Sequence, residues 1–214
     1  GGIAGYATNG NINHCTNTAS VTAAYNYAGG VVGQLEGRTA VLKNCINRGT
    51  VTGSQYVGGF VGAIKNDVSL SLFNSVNDAA VNGKSNVSAT VSVFPDNSSV
   101  ANCYFNSDLC AKATYAVPFS SDVMHGISAD EYGRIMPDTL NYGVEHDFQS
   151  NGWLHAILDK NGVLSFVPEG AIPYIGLDGA FHYVENATRV TGSMETLGAE
   201  GESRAYYVGG TVTT

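Results

Sequence analysis

"GGFVGAIKND", residues 58–67, opens on two glycines and has a third four positions after the first. The same Gly-Gly-x-x-Gly frame stands at Gly1 in "GGIAG" and at Gly29 in "GGVVG", at intervals of 28 and 29 residues. Self-similarity at a fixed period of this size marks a repeat architecture, and it outranks local propensity as a fold signal. Two more blocks recur in register with the first. "HCTN" (14–17), "NCIN" (44–47) and "NSVN" (74–77) form the second, with a partial fourth copy in "NCYFN" (102–106). "SVTA" (20–23), "TVTG" (50–53) and "AVNG" (80–83) form the third. The offset of six from Cys15 to Val21 returns from Cys45 to Val51 and from Ser75 to Val81.

Each block is short, rich in Val, Ile and Thr, and bounded by turn formers, which reads as strand. Three short strands per unit of about 29 residues predict one coil of a parallel β-solenoid, in which every strand pairs with its counterpart one unit on, about 4.8 Å away. The repeated glycines then serve either a positive φ or a close approach of backbones. Cys15, Cys45, Ser75 and Cys103 are expected to form one buried file of small side chains. Asn44, Asn74 and Asn102 form a second file, headed by His14, and Asn17, Asn47 and Asn77 a third. Stacked Asn side chains can hydrogen-bond along the axis. Tyr27 and Tyr56 both stand two positions before a Gly-Gly pair, so they should be neighbours on successive coils. The third unit lacks a new Gly-Gly, and "VSATVSVF" (87–94) takes that place by alternation alone.

The segments "GIAG", "GVVG" and "GFVG", each followed by an Asn-Cys or Asn-Ser block and a Val-Thr-Gly-like block, resemble the GLUG repeat. That repeat occurs in large bacterial surface and secreted proteins, including regions flanking immunoglobulin A metallopeptidases. The resemblance covers residues 1 to about 106. It implies a right-handed parallel β-helix outside the cell, and a location and shape rather than an activity.

Composition argues against a nucleic-acid partner. Charged residues make up 13% of the 214 residues, and the formal net charge is −8, without the basic stripe that phosphate binding needs. Residues 1–106 hold five basic and four acidic side chains, whereas residues 107–214 hold five and fourteen. Asparagine runs the other way, fifteen against four. The break near residue 107 sets the expected organisation: a GLUG-like β-helix of three to four coils over 1–110, a capping region over 111–168, and a small β module or added strands over 169–214. The cap is predicted to hold a short helix near 129–136, signalled by the capping box of Ser128 and Glu131. A hairpin is predicted near 153–167 around Asn161-Gly162, with Trp153 plugging the core. GLUG-type proteins often end with a short helix and a Trp strand, which this stretch loosely resembles. No segment is apolar for long enough to span a membrane. The start on Gly-Gly, inside a repeat and without Met, is expected of a piece of a longer chain with other domains.

Chemistry is sparse in the sequence. No HExxH or GxSxG motif occurs. The histidines His14, His125, His146, His155 and His182 have no metal-ligand spacing. "VEHD" (144–147) reads as a solvated turn, and "DKNG" (159–162) starts like a calcium loop but lacks its closing acid. Cys103 and Cys110 are open to three readings: a local disulfide, two packed thiols, or one reactive thiol beside a bystander. Cys15 and Cys45 are expected to be reduced core thiols. Glu36 and Asp67 both follow the glycine frame and are the candidate carboxylate pair, near a corner. Thr22 and Thr52 line up in a row too short for ordering ice. Tyr6, Tyr25, Tyr27, Tyr56, Tyr104 and Tyr115 offer stacking faces. The resulting expectation assigns no catalytic, cofactor or metal residue. It is a non-catalytic stalk or adhesin-like binding surface of a bacterial cell-surface or secreted protein, with a host glycan or surface protein as partner. The alternatives are a carbohydrate-active lyase or hydrolase and an accessory domain of a surface metallopeptidase.

Overall fold

The computed structural model describes residues 1–65, 68–110, 124–128, 140–141, 154–158, 163–167, 172–175, 181–185, 188–191, 205–208 and 211–213. They divide into two compact units, Gly1–Leu154 and His155–Thr214. The first is a parallel β-solenoid of about three turns. One strip stacks Ala4–Thr8, Val32–Glu36 and Val61–Ile64, and Val61 bridges on to Val91. A second strip stacks Asn11–Asn13, Thr39–Lys43, Ser69–Asn77, Ser99–Asn106 and Met124–Ile127. Thr16–Asn17 and Ile46–Asn47 pair alongside it. A third strip stacks Val21–Thr22, Val51–Thr52 and Val81–Asn82, and a fourth Asn26–Gly29, Gln55–Gly58 and Ser85–Ser88. Every pairing in these strips is parallel.

The first two coils thus use five short strands where three were expected. Left-handed residues recur along the second block, at breaks between strands in the first two coils and inside the continuous strands Ser69–Asn77 and Ser99–Asn106. His14, Asn44, Asn74 and Asn102 have φ of 54, 54, 43 and 52°, and they turn the second block at the same place in each coil. The file read from the sequence is therefore a backbone column first. Asn tolerates this conformation better than most residues, because its short polar side chain can bond locally.

The side chains of that column form a chain of amides. Asn102 Nδ2 donates to Asn74 Oδ1 at 2.7 Å, and Asn74 Nδ2 to Asn44 Oδ1 at 2.8 Å. At the place headed by His14, the acceptor is the residue before it: Asn44 Nδ2 donates to Asn13 Oδ1 at 2.6 Å. The backbones of Leu140 and Leu154 come down on this file. Their carbonyls accept from Asn102 Nδ2 (3.0 Å) and Asn74 Nδ2 (2.9 Å), and the Leu154 amide donates to Asn44 Oδ1 at 2.9 Å.

The other Asn file is fully buried at Asn47 and Asn77. Asn17 Nδ2 donates to Asn47 Oδ1 (2.8 Å) and Asn47 Nδ2 to Asn77 Oδ1 (2.7 Å). The second N–H of each amide bonds a carbonyl two residues on, at Ala19, Gly49 and Ala79. Both donors are thus satisfied away from water, as burial requires.

This file explains the glycine frame. Only Gly37 among the described glycines has a positive φ, so close approach, not handedness, is what the Gly-Gly pair provides. A Cβ on Gly30 would sit 2.3 Å from Asn47 Cγ and 2.2 Å from the Gly59 carbonyl oxygen. One on Gly59 would sit 2.6 Å from Asn77 Cγ and 2.0 Å from the Ala89 oxygen. The third unit confirms the coupling. Ser88 pairs with Gly58, so Ser88-Ala89 occupies the Gly-Gly place. There the Asn file ends, with Asn77 Nδ2 facing Cys110 Sγ at 3.9 Å, while Asn106 is displaced to bond Asp78. With no amide to approach, Ala89 is accommodated.

Apolar side chains fill the rest. One cluster holds Val32, Leu35, Leu42, Phe60, Leu70 and Leu72, and a second holds Ala28, Val51, Val57, Val81, Phe105 and Cys110. In the second unit Ala156–Leu158 pairs antiparallel with Leu164–Phe166, as the hairpin signal predicts, the turn itself falling outside the described residues. Ile172–Ile175, Phe181–Glu185 and Thr211–Thr213 form an antiparallel sheet, and Thr188–Thr191 pairs with Ala205–Val208. The helix expected near 129–136 and Trp153 lie outside the described residues.

Two substitutions test the coupling. Asn47→Ala leaves an Asn17 donor, the Asn77 oxygen and the Gly49 carbonyl unpaired, and is expected to cost about 3 kcal/mol or more, against under about 0.5 kcal/mol for exposed Asn97→Ala. Gly59→Ala should lose about 3 kcal/mol or prevent folding, whereas Gly10→Ala, whose Cβ would meet nothing nearer than 3.6 Å, should be tolerated. Urea unfolding of the four variants measures each cost.

Candidate functional site

The file of small side chains behaves as core. Ser75 pairs in register with Cys103, and the Cys45 amide donates to Ser75 Oγ at 3.1 Å. Each side chain caps the carbonyl two residues before it: Cys15 to Asn13, Cys45 to Lys43, Ser75 to Phe73 and Cys103 to Ala101. Cys45, Ser75 and Cys103 are fully buried and Cys15 half-buried. All four cysteines are free thiols. Of the three readings of Cys103 and Cys110, the structure has packed thiols, placed in different apolar clusters. Desolvation pushes the Cys45 and Cys103 thiols up to about 12, far from the thiolate form a nucleophile needs.

At the carboxylate corner the structure describes Glu36 alone of the two acids. Asp67 lies outside the described residues. Beside Glu36 stands Lys65, which shares its offset of seven from the glycine frame, with Nζ 4.0 Å from Oε2. The same carboxylate oxygen accepts a hydrogen bond from the Tyr6 hydroxyl. The three side chains link successive coils across an open surface, where such contacts add little stability. The shared offset of Glu36 and Lys65 was the signal available in the sequence.

The tyrosines separate into three environments. Tyr104 is buried and stacks on His125 with centroids 5.1 Å apart. Tyr6 joins the Glu36 corner, and Tyr115 lies outside the described residues. Tyr25 and Tyr27 are 83% and 41% exposed. Tyr27 and Tyr56 meet as expected on successive coils, with centroids 5.6 Å apart and planes tilted by 51°. Both sit in the left-handed region, at φ of 66 and 55°, and the third coil places Asn86 there at 51°. Next to them Asn26, Gln55 and Ser85 stand in register. The exposed row Thr22, Thr52 and Asn82 follows the adjoining strip. The outer corner is thus aromatic, polar and nearly uncharged. Among the described residues no three His, Cys, Asp or Glu side chains are grouped to hold a metal ion, and no helix is long and apolar enough to cross a membrane.

Residues 1–22 match the family described as the GLUG motif. No curated protein matches the sequence. The fold is similar to a solved structure described as "a putative immunoglobulin A1 protease from Bacteroides ovatus", with a TM-score of 0.52 and 24% identity. The likeness covers 73% of this chain and 47% of that one, so this chain matches about half the length of its neighbour. The motif and the solenoid fit a segment of a bacterial surface or secreted protein.

The thiol file makes a pH prediction. In the unfolded chain these thiols ionise near their ordinary 9.0, and in the fold near about 12. The unfolded state therefore releases protons first as pH rises. The contribution to stability is complete below pH 9 and is lost progressively between pH 9 and 12. Melting temperature should stay flat from pH 6 to 8 and fall beyond 9. In native protein, a thiol-specific reagent should label Cys15 ahead of Cys45 and Cys103.

Proposed function

We propose that this chain is a non-catalytic stalk or spacer segment of a bacterial surface or secreted protein, which presents its outer face to partners. The observation that carries this reading is the pair of continuous amide files. Hydrogen bonds running along the axis, from coil to coil, resist shear and bending between coils, which a spacer needs and a small-molecule site does not. Cys45 and Cys103 are buried and held as thiols by desolvation. Among the described residues, Glu36 is engaged by the Tyr6 hydroxyl and lies 4.0 Å from the Lys65 ammonium.

A second reading places the segment beside a peptidase as an accessory domain. The description of the Bacteroides ovatus neighbour supports it, and it is compatible with a spacer role.

The experiment inserts a second copy of residues 30–58 between Gly58 and Gly59, which preserves every Gly-Gly frame. The variant should fold, melt no lower than the parent, and lengthen by about 4.8 Å in small-angle scattering. The parent should release no reducing ends or unsaturated uronates from a panel of polysaccharides. Turnover that disappears in Glu36→Gln would replace the spacer with an enzyme, and an insertion variant that fails to fold would remove the modular stacking on which the spacer rests.

A further inference from the structure

We propose that Tyr27 and Tyr56 form a stacking platform for a neutral polysaccharide. This inference rests on the spacer reading and gives its outer face a ligand class.

The first observation is a mismatch between residue and backbone. Three equivalent corners of the solenoid have φ of 66, 55 and 51°, and they carry Tyr27, Tyr56 and Asn86. The left-handed region suits Asn, whereas a bulky side chain there is a genuine outlier. Asn86 shows what this corner accepts with least strain. Strain held at an exposed position points toward function.

The second observation is that packing does not account for the tyrosines. Tyr27 is 41% exposed, Tyr56 is only half-buried, and the contact that joins the two rings is with each other. They turn aromatic surface outward on successive coils, next to Tyr25, the most exposed large hydrophobic among the described residues.

The third observation is the chemistry around the rings. Asn26, Gln55 and Ser85 run in register along the same strip. These are neutral donors and acceptors. Lys84 is the one formal charge beside them in the chain. A matching ligand has flat apolar faces edged by hydroxyls and carries no net charge. A pyranose ring has that character: its C–H face lies on an aromatic ring while its hydroxyls exchange hydrogen bonds with amides and hydroxyls. Nucleobases also stack, but their phosphates call for a basic groove, which this face lacks. Because the platform continues from one coil to the next, a polymer can engage it at more than one ring.

The test titrates the whole protein with cellohexaose, maltohexaose and mannohexaose as neutral probes, and with polygalacturonate and heparin as anionic ones. Binding is followed by calorimetry and stability by thermal melting. At least one neutral hexaose should bind. The double variant Tyr27→Asn/Tyr56→Asn should lose affinity about tenfold or more, while its melting temperature stays level or rises, because Asn suits the corner. Tyr27→Phe/Tyr56→Phe should retain most of the binding, since the ring face is kept. The proposal is overturned if no neutral probe binds, if only anionic polymers bind, or if the Asn variant binds as the parent does. A drop of several degrees in the Asn variant also overturns it, by showing that the tyrosines serve packing. If no glycan binds while the insertion variant described above still folds and lengthens, the platform fails and the spacer stands.

Discussion

One hydrogen bond, repeated, organises this molecule: the side-chain amide of an Asn on one coil donating to its equivalent on the next. An Asn amide has two donors and one oxygen. In the Asn17–Asn47–Asn77 file one donor is spent along the axis and the other on a local carbonyl. That arrangement needs the coils in register, with Asn at the same place in each. It also needs room, and the room comes from the second glycine of each frame, whose missing side chain lets the amide approach. The glycine frame and the Asn block, separated by about fifteen residues in sequence, are therefore two halves of one contact. Where Ser88-Ala89 replaces the glycines, the amide file has already given way to Cys110.

The rest of the interior follows from the coil's width. The file at the turn is made of Cys and Ser, small side chains whose Sγ or Oγ can close a neighbouring carbonyl. Apolar volume is supplied by Leu, Val and Phe on the broader strips. The low charge content belongs to the same design. Most side chains on a narrow solenoid either face the core or stand in rows of like residues, and rows of like charge one coil apart would repel. Thr, Asn, Gln and Tyr fill the outward rows instead, and they give the corner at Tyr27 and Tyr56 its neutral, hydrogen-bonding character.

Much of this was legible in the sequence because a solenoid converts sequence period into spatial contact. The pairing of Tyr27 with Tyr56, the thiol file and the stacking of Asn44, Asn74 and Asn102 all follow from equal offsets. The substitution of "VSATVSVF" for a glycine frame was legible for the same reason. Other features were not. Asn13 takes the amide place because His14, at the same φ as Asn44, carries no side-chain amide, and a one-residue change of partner leaves no trace in the period. The left-handed turn at the second block in every coil was not legible, because propensity does not show where an Asn or Tyr will adopt that conformation. The Glu36–Lys65 pair was present as a shared offset but competed with a reading that looked for two acids.

By itself the sequence determined the architecture: a repeat whose units cannot bury a core alone must stack, and stacking in register fixes which residues are neighbours. Only the tertiary structure decided what the glycines are for, since close approach to an Asn amide involves residues half a coil away. It alone decided that Cys103 and Cys110 are free thiols in separate clusters and that Leu140 and Leu154 come down on the second Asn file. It also decided that two tyrosines occupy corners suited to Asn. Those facts depend on backbone dihedrals and on contacts between segments far apart in the chain, and neither is encoded in the spacing of a repeat.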